Sequence, residues 1–240
     1  MDIMDIKKIL ASALADYKIK LTEQQLNQLE IYFTELVLWN EKINLTAITD
    51  VEGVAIKHFA DCLSFFNYID VPKGASVIDV GTGAGFPGLV LKIARPDIKL
   101  TLLDSLNKRL VFLSDVLEKT NLTAEIIHSR AEEGARKKNL RESFDFAVSR
   151  AVAQLNVLSE YCLPYVKVRG SFVALKGPKA TQEIADASSA LKILGGKIEN
   201  SYEFELPMEG GERTILEIKK IKPISKEYPR ISAKIKAKPL

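Results

Sequence analysis

Between Val77 and Asp97 the chain reads VIDVGTGAGFPGLVLKIARPD. A β-branched run ends at Val80, glycines stand at 81, 83, 85 and 88, and an apolar run follows. This is the grammar of a strand, a tight turn and a helix. Glycine supplies the torsions of such a turn and lets a ligand approach the backbone. Two glycine registers overlap. Gly83, Gly85 and Gly88 match G-x-G-x-x-G, the dinucleotide signature, whereas Gly81, Gly83 and Gly85 follow Asp79 as D-x-G-x-G-x-G. The acid separates the two. A carboxylate at the end of the strand repels a pyrophosphate but can pair, directly or through water, with an ammonium group. Pro87 in the first helical turn loses no needed N–H, so the helix is expected to begin at Phe86 or Pro87.

The next strand, KLTLLDS, ends in Asp104, where a carboxylate can accept both hydroxyls of a ribose. After a third strand, Ser129-Arg130-Ala131-Glu132 opens a helix, and there Ala131 could abut an adenine while Glu132 accepts from its amino group. Asp104 alone fits either a nicotinamide cofactor or S-adenosylmethionine. The whole series, with Asp79 leading, favours S-adenosylmethionine, which carries an ammonium and a sulfonium and no phosphate. Each member stands at the C-terminal end of a strand, where open α/β sheets bind their ligands.

Around this series the pattern predicts an α/β fold. Strands are expected at 76–80, 99–104, 124–128, 144–149 and 170–176, with helices at about 87–95, 106–119, 131–137, 153–166 and 179–194. KIENSYEFELP and ERTILEIKKI, joined by a short PMEGG connection, should pair as an antiparallel hairpin at one edge. The expected fold is therefore a seven-stranded, mainly parallel, Rossmann-like methyltransferase sheet. Three helical patterns precede it, at 3–17, 21–39 and 51–68. In the second, Thr22 and Gln25 are placed for a capping box. Three segments are expected: a helical N-terminal appendage over 1–75, a methyltransferase domain over 76–221 and a basic arm over 222–240.

The net charge of +3 is unevenly distributed, with 6 basic residues and 1 acidic residue in 222–240. An extended arm along a phosphate backbone suits that composition, and so does a solvated, partly disordered terminus. Because its cations are far in sequence from every pocket motif, the arm is expected to leave the cofactor site alone. No apolar run approaches the roughly 18 residues needed to span a bilayer, and the acidic N-terminus does not suit a secretory peptide. A cytoplasmic monomer without membrane contact is expected. Cys62 and Cys162 lie far apart with no CxxC, which argues against a metal site.

The runs DVGTGAGFPG (79–88), LDSLNKRLVFL (103–113), HSRAEE (128–133), FDFAVSRAV (144–152) and FVALKG (172–177), preceded by WNEKINLTAI (39–48) and HFADCLS (58–64), resemble the RsmG family, also called glucose-inhibited division protein B. The resemblance covers essentially the whole chain. It implies a bacterial S-adenosylmethionine-dependent methyltransferase of guanine N7 in 16S ribosomal RNA, with the RNA or the small ribosomal subunit as partner. It further implies that Gly81, Phe86, Ala131, Glu132 and Arg150 contact the cofactor, and it places Arg130, Arg150 and Lys176 about the reaction cleft. His58 and Asp61 belong to the same pattern. Their spacing allows a shared helix face, as in an ordinary surface pair, and from sequence no role can be derived for either.

Two absences narrow the acceptor atom. FDFAVS is not followed by the [D/N/S]-P-P-[Y/F/W] motif that holds an exocyclic amine, and neither cysteine sits in a Pro-Cys or Thr-Cys nucleophile context. Ring nitrogen and oxygen acceptors remain. Guanine N7 carries a free lone pair and needs no general base, so positioning can suffice, and the resemblance makes Arg130, Lys176 and His58 the candidates for it.

Overall fold

The computed structural model describes residues 5–150, 152–178 and 180–240. The N-terminal helices are α1 (Ile6–Ala13) and α2 (Glu23–Asn40), then a broken helix made of α3 (Val51–Val54), a π-helical turn (Ala55–Ala60), α4 (Asp61–Leu63) and α5 (Phe65–Tyr68). The alternating region follows as β1 (Ser76–Val80), α6 (Gly88–Ala94), β2 (Lys99–Asp104), α7 (Asn107–Lys119), β3 (Glu125–His128), α8 (Ala131–Gly134), β4 (Phe144–Arg150) and α9 (Leu155–Cys162). A 3-10 turn at Leu163–Tyr165 leads into β5 (Val166–Lys176), α10 (Ala180–Asp186), α11 (Ser188–Leu194), β6 (Gly196–Leu206), β7 (Gly211–Lys220) and α12 (Ser232–Ala237).

The strands form one sheet in the order β3-β2-β1-β4-β5-β7-β6. β1 to β5 are parallel, and β7 runs antiparallel to both β5 and β6. The expected seven strands and edge hairpin are present. The strand order reverses at β1, which lies between β2 and β4, so a crevice opens at the C-terminal ends of these strands. The glycine turn, Asp104 and Arg150 all end up there.

The N-terminal helices are packed against one face of this sheet. Leu10, Leu29, Tyr32, Leu36, Phe59 and Leu63 share one buried cluster with Leu89, Val90, Phe112 and Val148. The expected capping box is present, with Gln25 N donating to Thr22 Oγ1 and Thr22 N donating to Gln25 Oε1. The Gln25 amide then donates to the Ile93 and Ala94 carbonyls, 2.9 Å each, and so closes the C-terminal end of α6. Tyr32 Oη donates to the Ala84 carbonyl, and its ring stacks on Phe86 at 5.5 Å. An N-terminal helix thereby braces the glycine turn.

Several boundaries differ from the sequence reading. α8 is one turn long because Arg136 and Arg141 beyond it are drawn away to grip the C-terminal segment. The expected helix at 153–166 ends at Cys162, where Pro164 follows, and β5 starts earlier than expected, at Val166. Residues 180–194 form two helices, and the first helix stops at Ala13. α6 begins at Gly88, with Pro87 preceding it. Residues 3, 4 and 179, which open two of the expected helices, lie outside the described residues.

The expectation of an extended C-terminal arm is overturned. Arg230 makes a 2.7 Å ion pair with Glu160, itself 1% exposed, and Ile235 of α12 is fully buried in the second apolar cluster with Leu158 and Tyr161. An alternation of cations with Pro, Ile and Ser suits an arm on a phosphate backbone, but here the isoleucine and the arginine have partners on the protein itself.

Candidate functional site

The glycine turn is built from below. Gly81, Gly83 and Gly85 have φ of +73°, +58° and +98°, the left-handed region that other residues enter at a cost. Gly85 is also confined by space, since a Cβ there would lie 2.5 Å from Tyr32 Oη and 2.8 Å from a Leu113 methyl. Asp79 is fully buried under the turn. Its Oδ2 accepts from Thr82 Oγ1 at 2.7 Å and from the Gly88 N–H at 2.8 Å, and its Oδ1 has no partner among the described residues. Burial pushes its carboxyl up to about 7 against the opposing effect of those two hydrogen bonds. The structure places Asp79 beneath the turn and off the wall of the adjoining cavity, because its oxygen is drawn to the first N–H of α6.

That cavity has a volume of about 390 Å³, within the roughly 300–1,000 Å³ usual for small-molecule sites. Gly81, Asp104, Ser105, Arg130, Ala131 and Glu132 line one side of it in sequence order, and Val152, Ala153, Gln154 and Tyr161 close it. Asp104 is held by backbone. The Gly83 N–H donates to its Oδ2 and the Leu106 N–H to its Oδ1, both at 2.9 Å, with Arg109 further off at 3.5 Å. A carboxylate so fixed keeps lone pairs free for a diol. Arg130 is the exposed residue that opens α8, and Glu132 is buried behind it. A Cβ on Gly81 would come within 3.0 Å of Val152, so the turn backbone itself forms part of the wall. Two carboxylates and apolar Val80, Leu103 and Val157 suit an adenosine, and Arg130 and Lys236 are the cations on the same lining.

A second cavity, of about 570 Å³, shares Val152, Ala153 and Gln154 with the first. Its walls carry Lys57, His58, Asp61, Arg150, Lys176, Glu183 and Arg213. The Arg150 guanidinium lies 4.8 Å from the Phe86 ring centroid and donates to Asp61 Oδ2 at 2.8 Å and the Lys57 carbonyl at 3.0 Å. Arg213 of β7 takes the other oxygen of Asp61 at 3.3 Å. His58 Nε2 lies 2.8 Å from Thr46 Oγ1, while Nδ1 lies 3.0 Å from the Lys57 carbonyl and 3.2 Å from Arg150. Burial and the Arg150 charge push the imidazole down to about 4, so it is neutral at physiological pH. Lys176 pairs with Glu183 at 2.7 Å and donates to the Ala153 carbonyl at 2.7 Å.

The sequence-derived residues therefore separate. Gly81, Asp104, Arg130, Ala131 and Glu132 line the first cavity, and His58, Arg150 and Lys176 line the second. Asp79, Gly83, Gly85 and Phe86 lie on neither wall and shape the turn from behind. His58 and Asp61 are not a helix-surface pair. His58 in the π turn and Asp61 at the start of α4 both face inward, 8% and 4% exposed, where the Arg150 guanidinium takes their polar atoms. Arg213 and Glu183 had no motif to mark them. Ser232, Lys236 and Pro239, in the segment expected to leave this site alone, also line the first cavity.

Fold and cavities define a class, the Rossmann-like methyltransferases that use S-adenosylmethionine as methyl donor. A methyltransferase from Pyrococcus furiosus shares the fold at a TM-score of 0.56 and 14% identity, covering 82% of this chain and 99% of that one. A putative methyltransferase from Bacillus halodurans does so at 0.54 and 14%, covering 68% and 100%. Sequence relatives are much nearer. The GidB family model, described as rRNA small subunit methyltransferase G, matches residues 25–210. The Ribosomal RNA small subunit methyltransferase G of Clostridium perfringens strain SM101 is 51% identical, covering 91% of this chain and 92% of that protein. The protein of that name from Alkaliphilus oremlandii is 48% identical, covering 99% and 100%. The chain belongs to the rRNA small subunit methyltransferase G family. No helix among the described residues is long and apolar enough to cross a membrane.

Proposed function

We propose that the methyl group goes to N7 of a guanine in 16S ribosomal RNA, and that no side chain removes a proton in the step. The observation that carries this reading is the state of the second cavity. Of its carboxylates, Asp61 is engaged by Arg150 and Arg213, and Glu183 by Lys176 and the Leu155 N–H. Its imidazole is depressed to about 4 and is a weak base. An exocyclic amine or a ribose hydroxyl would need a proton acceptor there, whereas N7 presents its own lone pair.

When bound, S-adenosylmethionine supplies a methyl group made electrophilic by its sulfonium. In this reading Asp104 accepts the ribose hydroxyls, Glu132 accepts from the adenine amino group, and Gly81 and Ala131 let the ligand lie close to the backbone. Arg150, on the wall of the second cavity, holds the amino-acid end of the cofactor. Lys176, Arg130 and neutral His58 position the nucleotide. The work is orientation of a reactive pair, which can account for much of the rate. Mapping modified nucleotides in 16S RNA from cells with and without the gene tests it. One 7-methylguanine should disappear and return on complementation, whereas loss of a methylamine or a 2′-O-methyl group would overturn the reading.

A further inference from the structure

The C-terminal segment bridges the two elements that frame the cofactor cavity. From the side of α8, Arg141 donates to the carbonyls of Tyr228, Ser225 and Ile224 at 2.8, 3.0 and 3.2 Å, and Arg136 donates to those of Pro229 and Glu227 at 2.5 and 3.2 Å. From α9, Glu160 accepts the Arg230 N–H at 2.7 Å and its guanidinium at 2.7–3.2 Å, while Tyr161 Oη lies 3.1 Å from Ser232 Oγ. Ile235 pins α12 in the apolar cluster under α9. Held in this way, Ser232, Lys236 and Pro239 line the same cavity as Asp104, Ala131 and Glu132.

We propose that residues 230–240 are a docked wall of the cofactor site, with Lys236 its ligand-facing donor, so that segment docking and cofactor binding strengthen each other. The proposal rests on assigning the first cavity to S-adenosylmethionine. The chemistry follows from the donor balance. Asp104 and Glu132 can only accept as carboxylates, yet an adenosine also presents ring-nitrogen acceptors that need donors, and on this wall Lys236 adds one from the C-terminal side to those of Arg130 and Gln154. Arg230 is consumed by Glu160, but Lys236 is exposed and has no ion-pair partner among the described residues. Its ammonium is free for the ligand. Because α8 and α9 are tied through the segment, releasing it loosens both sides of the cavity. By linkage, whatever factor the segment adds to cofactor affinity, the cofactor returns to segment docking.

Calorimetric titration of S-adenosylmethionine into the full chain, a chain truncated after Pro229, Lys236→Ala, Lys236→Arg and Asp104→Ala tests this, with circular dichroism to check folding. Truncation should weaken binding tenfold or more. Lys236→Ala, at an exposed position, should weaken it threefold to tenfold, and Lys236→Arg should restore most of the loss. In the full chain, saturating cofactor should slow tryptic cleavage at Arg230, Lys234 and Lys236 by a similar factor. If Asp104→Ala weakens binding while Lys236→Ala does not, and cofactor leaves cleavage unchanged, the wall is disproved and the cavity stands. If Asp104→Ala also binds normally, the cavity assignment itself has failed. Should truncation unfold the chain, Lys236→Ala and the cleavage rates decide.

Discussion

The two adjoining cavities are held together by different physics. In the first, the key carboxylate is fixed by backbone N–H groups of its own strand end and of the neighbouring glycine turn, Gly83 and Leu106 to Asp104. In the second, the key cation is fixed by side chains and a carbonyl about 90 residues away in sequence, Asp61 and Lys57 to Arg150. A backbone-held group survives the loss of any one neighbouring side chain. A buried ion cluster does not, since each member left behind is a charge without a partner. The first cavity should therefore respond to substitution mainly in ligand affinity and the second mainly in stability.

The largest expected effect lies in the second cavity. The side chains of Asp61 and Arg150 are 6% and 13% exposed, so Asp61→Ala strands Arg150 and takes one partner from Arg213. Breaking a buried pair in this way costs roughly 3–5 kcal/mol. Urea denaturation measures it. A loss below about 1 kcal/mol, the ordinary value of a surface pair, would show that the cluster is solvated and would erase the contrast between the cavities.

Next come two glycines of the same turn that differ only in their surroundings. Both have positive φ, but a Cβ on Gly83 meets nothing nearer than 4.0 Å, whereas on Gly85 it meets Tyr32 Oη and Leu113. Gly83→Ala should cost the left-handed penalty of about 1–2 kcal/mol. Gly85→Ala should add to that an overpacking cost of typically 1–3 kcal/mol. Equal melting shifts for the two variants would mean that Tyr32 does not brace the turn.

Asp104→Ala should weaken S-adenosylmethionine binding by about 1.5–3 kcal/mol, the range for hydrogen bonds to a charged group. Stability should change less than in Asp61→Ala, since Asp104 itself lines an open cavity and the cation nearest to it, Arg109, is one-third exposed. A variant that unfolds as readily as Asp61→Ala, with unaltered ligand affinity, would invert the comparison.

The same contrast explains what could be read from the sequence. That Asp104 and Glu132 would meet on one cavity wall was legible because a strand end followed by a helix start is a local pattern, and the sheet brings such ends together by rule. The seven strands and the hairpin followed from the alternation of runs in the same way. His58 and Asp61 were visible as a pair, but their role depends on Arg150, 89 residues beyond Asp61, and on a π turn that no local spacing announces. The tail misled for the opposite reason. Its composition is that of a solvated arm, and only the buried Glu160 and the pocket that receives Ile235 make it part of the fold.

The smallest effect is a cancellation between the two regions, visible in the pH dependence of stability. His58 in the second cavity is depressed from 6.5 to about 4, so as pH falls through that window the unfolded chain takes a proton that the native chain refuses, and stability drops. Asp79 under the glycine turn is raised from 3.8 to about 7, so between those values the native chain takes a proton that the unfolded chain refuses, and stability rises on acidification. Each proton contributes at most about 1.4 kcal/mol per pH unit, and between pH 4 and 6.5 the two slopes oppose one another. The wild-type profile should be nearly flat there as far as these groups set it. Asp79→Asn keeps an acceptor for Thr82 and the Gly88 N–H but cannot titrate, so its stability should fall relative to wild type as pH is lowered from 7 to 4. His58→Gln should do the reverse, gaining relative to wild type between pH 6.5 and 4. Denaturation midpoints at half-unit pH steps for the three proteins give the differences directly, and other titrating groups drop out of them. Parallel curves for wild type and Asp79→Asn would mean that the buried Oδ1 is satisfied by a partner such as water. The turn would then resemble the second cavity in depending on a group from outside its own backbone.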